Sequence, residues 1–119
     1  MRALVYALVA LATSCGGVNP ADAHAELDRA SPRVGAAVAQ PPQAVVLAFS
    51  EPLEREGSSL SVQDAAGVVA SGPFTLDPAN AAVARAPLGR LAPGEYTVRW
   101  VAKTEDAETR GRFVFTVAP

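Results

Sequence analysis

Beyond residue 24, no window of about eleven residues keeps its apolar positions at the 3.6-residue spacing of a capped helix. What recurs is a short run, apolar at alternate positions and closed off by glycine or proline. Ala44–Phe49 (AVVLAF) follows Pro41-Pro42, and Leu60–Gln63 (LSVQ) leads into the turn Asp64-Ala65-Ala66-Gly67 and then Val68–Ala70. Ala82–Ala86 (AVARA) is a weaker run. Glu95–Val101 (EYTVRWV) follows Pro93-Gly94, with Tyr96, Val98 and Trp100 on one face and Thr97 and Arg99 on the other. Arg112–Val117 (RFVFTV) alternates again, with Phe113 and Phe115 to one side. Runs of this kind, punctuated at regular intervals by turn residues, read as the strands of a sandwich or barrel. The 10 prolines suit turns and edge strands and oppose helices. The expected fold class is all-β, an antiparallel β-sandwich of about seven strands, with Trp100 and the Tyr and Phe faces forming the inter-sheet core.

A chain of 119 residues is one domain by size. It is 50% hydrophobic and only 18% charged, which selects a packed core over a disordered chain. The net charge of −2 argues against a nucleic-acid binder, whose surface shows a concentrated basic footprint.

The first segment has another purpose. Arg2 supplies a positive charge, and Ala3–Ala12 (ALVYALVALA) is an uncharged apolar run too short for a bilayer span, which needs about 20 residues. It suits the apolar region of an export signal, and Ala21-Asp22-Ala23 is an A-x-A cleavage site. The expected organisation is a signal peptide over 1–23, cut after Ala23, and a folded domain over 24–119. A second processing route also fits. Leu11-Ala12-Thr13-Ser14-Cys15 resembles a loose lipobox, in which Cys15 would be lipidated and become the first residue. Both routes export the chain.

The sequence contains one His, one Cys and one Met. That excludes a structural zinc site of several thiolates and imidazoles, and it excludes an intramolecular disulfide. Cleavage after Ala23 removes the Cys and the Met and leaves His24 as the first residue. Its α-amine and imidazole Nδ1 then belong to one residue and chelate a single metal in a small ring. A free α-amine has an ordinary pKa of about 7.7–8.0, so a metal displaces its proton near neutral pH. Two nitrogens joined by carboxylate oxygens make the tetragonal N,O environment that suits Cu(II).

His24-Ala25-x-Leu27 followed by Ser31-Pro32 resembles the mature start of the periplasmic copper-binding CopC proteins. Phe49-Ser50-Glu51-Pro52 is similar to an internal segment of that family. Leu91-x-Pro93-Gly94-x-Tyr96-x-Val98-x-Trp100 resembles its late core strand, and Gly111-x-Phe113-x-Phe115-x-Val117 its closing strand. The resemblance covers essentially all of the chain after the signal. It implies a Greek-key or immunoglobulin-like β-sandwich in the periplasm that holds Cu(II) through the N-terminal histidine, carboxylates and a second histidine. Carried over by position, the ligands are His24, then Glu51, then Glu105 and Asp106. The second histidine of the family falls on Ala107, which offers no donor. The methionine-rich Cu(I) site of some relatives is absent, because the only Met is Met1.

The expected function is therefore a periplasmic Cu(II) carrier or buffer in copper homeostasis or resistance, a monomer and not an enzyme. A CopC-fold interaction module with weak or lost metal binding, partner of an inner-membrane CopD-like copper transporter, is the alternative. A copper oxygenase with a histidine brace would need the missing second imidazole. A hydrolase triad would need a Gly-x-Ser-x-Gly motif that the sequence lacks.

Overall fold

Alternation of apolar and polar residues puts every second side chain on one face of a strand, and the burial of the chain follows that rule closely. The computed structural model describes residues 25–119. It contains eight strands among the described residues: β1 (Leu27–Ser31), β2 (Ala37–Val38), β3 (Ala44–Phe49), β4 (Ser59–Asp64), β5 (Thr75–Asp77), β6 (Asn80–Pro87), β7 (Gly94–Lys103) and β8 (Glu108–Val117). They form two four-stranded sheets, ordered β1-β3-β6-β5 and β2-β8-β7-β4. From β1 to β5 each strand lies in the sheet opposite the one before it, and the chain crosses once more between β6 and β7. β5 and β6, like β7 and β8, are hairpin neighbours within one sheet. The all-β sandwich expected from the sequence is the fold observed, with one strand more than the expected count. All pairings are antiparallel except that of the two-residue β2, which lies parallel to the end of β8.

The core lies between the two inner faces. Val45, Leu47 and Phe49 point inward from β3, Leu60 and Val62 from β4, Tyr96, Val98 and Ala102 from β7, and Phe113, Phe115 and Val117 from β8, all buried. β6 adds the small Ala84 and Ala86, also buried. Burying one large side chain of this kind is worth about 1.5–3 kcal/mol, and Phe115, Leu47, Val45, Val62, Val98 and Val117 are almost wholly enclosed. The register fixes the arrangement: Tyr96 lies opposite Phe115 and Val98 opposite Phe113. The Tyr96 and Phe115 rings stack with centroids 5.5 Å apart. The Tyr96 hydroxyl donates to the Ala92 carbonyl at 2.6 Å, which satisfies the one polar atom this aromatic pair brings inside.

Trp100 departs in degree from expectation. It is half-buried at the margin of the core, edge-on to Phe49 with centroids 5.2 Å apart. Gly111, its cross-strand partner on β8, leaves the space that the indole fills: a Cβ at Gly111 would stand 2.5 Å from Trp100 Cζ2. The run Val68–Ala70 also differs from expectation. It makes only an isolated bridge from Val69 to Gln63, and Val68 and Val69 are exposed. The preceding turn is closed by Asp64, whose Oδ1 accepts from the backbone of Ala66 and Val68 at 2.9 Å each, and the chain leaves that turn without alternating burial.

Candidate functional site

At one end of the sandwich, the loop after β3 meets the turn between β7 and β8. Glu51, Pro52, Leu53 and Glu54 from the loop, with Thr104, Glu105 and Asp106 from the turn, line a cleft of about 310 Å³. Three of the residues expected from the sequence, Glu51, Glu105 and Asp106, are thus brought together although they come from loops some fifty residues apart. Glu51 is half-buried, while Glu105 and Asp106 are exposed. His24 and Ala23 lie outside the described residues, as does Cys15.

Each wall of the cleft has a local cause. In the turn, Thr104 is the one polar residue buried in the described chain. Its backbone N–H donates to the Ala107 carbonyl at 2.8 Å, and its Oγ1 accepts from Ala107 N at 3.1 Å. This short-range hydroxyl-to-backbone pairing closes the turn so that Glu105 and Asp106 project from its tip. In the loop, Leu53 is buried and its N–H donates to Ala81 O at 2.9 Å, while Glu54 N donates to Lys103 O at 2.8 Å.

Lys103 links the two walls. Its ammonium donates to Thr104 O at 2.8 Å and lies 3.7 Å from Glu54 Oε1, and its N–H donates to Ser58 Oγ at 3.0 Å. Gly57, at φ +90°, lies against the Lys103 stem, where a Cβ would come within 3.0 Å of Cγ. The ion pair is half-exposed, so its worth as an isolated contact is small. Its effect on the cleft is to engage Glu54 and leave Glu51, Glu105 and Asp106 as the carboxylates facing solvent there. A concave surface with one lysine among four carboxylates attracts cations.

The start of the described chain is tied to the same end. Ala25 is 1% exposed, and its carbonyl accepts from Thr109 Oγ1 on β8 at 2.8 Å. Glu26 N donates to Ser50 Oγ at 2.9 Å, and Ser50 N donates back to Glu26 O at 2.8 Å. Ser50 immediately precedes Glu51, and Thr109 lies two residues beyond Ala107. The segment Ala25-Glu26 is thereby clamped between the roots of both walls.

The sequence did not reveal Ser50, Thr109, Lys103, Thr104 or Glu54 as parts of this end. Ser50 and Thr109 act on backbone 24 and 84 residues away, distances at which no local pattern carries information. Thr104, three residues before its partner, had a short-range signal.

A donor count limits what this end does alone. The described residues contain no His, Cys or Met, and among them no three acidic side chains converge closely enough to hold a metal ion. The carboxylates form an oxygen-rich wall rather than a complete ligand set.

The molecule is thus a two-sheet β-sandwich domain with an acidic cleft at one end and the start of the described chain clamped beside it. The family model described as the CopC domain matches residues 27–118, and the chain belongs to the CopC family. Among curated relatives, Protein YobA of Escherichia coli (strain K12) is 34% identical over 120 residues, covering 98% of this chain and 95% of its own. Protein YobA of Shigella flexneri matches to the same extent. Among solved structures, CopC from Methylosinus trichosporium OB3b superposes with a TM-score of 0.75 at 29% identity, covering 81% of this chain and 95% of that one. PcoC, described as a methionine-rich copper resistance protein from Escherichia coli, gives 0.72 at 25% identity, covering 80% and 99%. The present chain does not share the methionine richness of PcoC: its single Met is Met1.

Proposed function

We propose that the chain is an exported, periplasmic copper-binding protein whose cargo is Cu(II), carried or buffered rather than chemically transformed. Residues 1–23 are its signal peptide, and His24 becomes its free N-terminus. The α-amine and imidazole of His24 supply two nitrogens, and Glu51 with Glu105 or Asp106 supplies oxygens. Membership of the CopC family and likeness to a copper resistance protein support the copper assignment.

The observation that carries the site is the clamp on Ala25-Glu26. Consecutive Cα atoms are about 3.8 Å apart, so residue 24 is joined to a buried residue hydrogen-bonded to β8, beside the serine that precedes Glu51. A chelating residue attached there needs no long reach to the carboxylates. Nitrogen and oxygen donors of this kind suit Cu(II) better than Cu(I), which prefers thiolate and thioether. With Ala107 in place of a second imidazole, affinity falls below that of a relative with both histidines. It also drops with pH as the α-amine and imidazole protonate.

The test is a Cu(II) titration of protein whose N-terminus has been verified as His24 by mass spectrometry, beside a form with one additional residue before it. The extended form loses the α-amine chelate and binds more weakly. Equal affinity of the two forms would sink the proposal. Lipidation at Cys15, read in the same mass spectrum, would also sink it, because His24 would then lie within a peptide bond.

One observation favours a second reading. Ala107 stands at the position to which the family resemblance assigns a second histidine, as expected if the domain kept the fold and lost the metal. It would then serve as an interaction module for a CopD-like inner-membrane copper transporter. Negligible Cu(II) binding by the verified His24 form is the outcome that selects this reading.

A further inference from the structure

The sheet β2-β8-β7-β4 turns one face to the core and the other to solvent. Cross-strand register sets Ser61, Arg99 and Arg112 side by side in one row, and Ser59, Val101 and Arg110 in the next. Because Val98, Phe113 and Phe115 point inward, these residues point outward, and all three arginines are exposed. Together with Trp100 and Gly111 they line a shallow depression of about 430 Å³.

Arg110 is paired with Glu108 on its own strand. Arg99 and Arg112 have no ion pair or hydrogen bond from their side chains to any described residue. Like charges directly opposite across an antiparallel pair are destabilising, and here no carboxylate offsets them. Folding does not call for this arrangement, and it is built into a chain whose net charge is −2.

We infer that this face docks an extended acidic segment of another protein, with carboxylates at alternate residues. The argument is one of matched spacing. Arg110 and Arg112 are two residues apart on one strand, so they repeat at about 6.6–6.8 Å, and an extended peptide presents its alternate side chains at the same interval. Guanidinium forks take carboxylates in bidentate fashion, and the Ser59 and Ser61 hydroxyls offer further donors along the same rows. Arginine is also enriched at protein interfaces. An anionic membrane is less well matched, because none of the large exposed apolar residues Val34, Val68 and Val69 lines the depression, and its one aromatic, Trp100, is half-buried. The inference does not rest on copper binding, so either can fail without the other.

The experiment is an amide-resolved NMR titration of the purified protein with a synthetic octapeptide of alternating Glu and Thr. Phosphatidylglycerol vesicles, inorganic phosphate and a Lys-Thr octapeptide are titrated alongside. Shifts confined to residues 59–61, 99–101 and 110–112 are expected, with binding that weakens as salt shortens the screening length. The double variant Arg99→Gln/Arg112→Gln should lose affinity roughly tenfold, the effect of two exposed ion pairs, with its melting temperature unchanged or raised. Arg112→Gln alone serves if the double variant folds poorly. Absence of localised shifts, undiminished peptide binding by either variant, or tighter binding of vesicles or phosphate than of the acidic peptide overturns the inference. So does stronger binding of the Lys-Thr peptide.

Discussion

Replacing Gly111 by alanine should loosen the cleft end of the sandwich from inside, and the size of the effect follows from the geometry. The added Cβ would stand 2.5 Å from Trp100 Cζ2 and 2.9 Å from Cε2, whereas carbon atoms pack at about 3.5–4.0 Å. The indole must retreat by about 1 Å, or β7 and β8 must part. Overpacking of this kind costs about 1–3 kcal/mol, and disturbing the edge-on contact with Phe49 adds up to about 1 kcal/mol. Opposing this, a Gly→Ala change restricts the unfolded chain and returns about 0.4–1 kcal/mol. The clash dominates, leaving a net loss of about 1–3 kcal/mol. At about 4–8 °C per kcal/mol for a domain of this size, the melting temperature falls by about 5–20 °C. Circular dichroism follows the melt, and Trp100, the only tryptophan, reports its own displacement by fluorescence. Adding Trp100→Leu should restore part of the loss, because the two substitutions compete for one space, with a coupling of about 0.5 kcal/mol or more. A single variant melting within about 2 °C of the parent, together with an additive double variant, would refute the packing argument.

Two further substitutions probe the fold around the site. Thr109→Val keeps the shape of the side chain but removes the donor to the Ala25 carbonyl; it should cost about 1–2 kcal/mol by chemical denaturation and weaken Cu(II) binding by the His24 form, and unchanged copper affinity would show that the clamp does not position the N-terminus. Tyr96→Phe leaves the stack on Phe115 intact and deletes only the hydroxyl donated to Ala92 O; a loss of about 0.5–1.5 kcal/mol without change in copper affinity is expected, read from the same denaturation and titration.

The elements legible in the sequence are those whose alternation coincides with burial. β3 matches its apolar run residue for residue, since its inward side chains are buried and its outward ones half-buried. β7 and β8 extend a few residues beyond the runs Glu95–Val101 and Arg112–Val117, because hydrogen-bonded pairing continues through Lys103 and Glu108 after the apolar pattern has stopped. β1, β2 and β5 left no clear sign. They lie at sheet edges, are short, and contain residues such as Asp28, Arg29 and Asp77 that a strand tolerates only where one side faces water. In the site, the pairing of Glu51 with Glu105 and Asp106 came from family resemblance and not from any local pattern, since loops so far apart in the chain share no spacing rule. Lys103 joins both walls of the cleft through contacts that only the folded chain creates.

β8 carries two messages in alternate letters. Thr109, Gly111, Phe113 and Phe115 hold the clamp, the indole seat and the core, while Arg110 and Arg112 between them form the exposed basic rows. Deleting one residue within this strand would therefore not merely shorten it; the phase of every later position would invert, carrying arginine toward the core and phenylalanine into water. Changes in length are tolerable here only in pairs or outside the strand, in the turn at 104–107. The strand behaves like a reading frame, in which a single-residue slip is more damaging than most single substitutions.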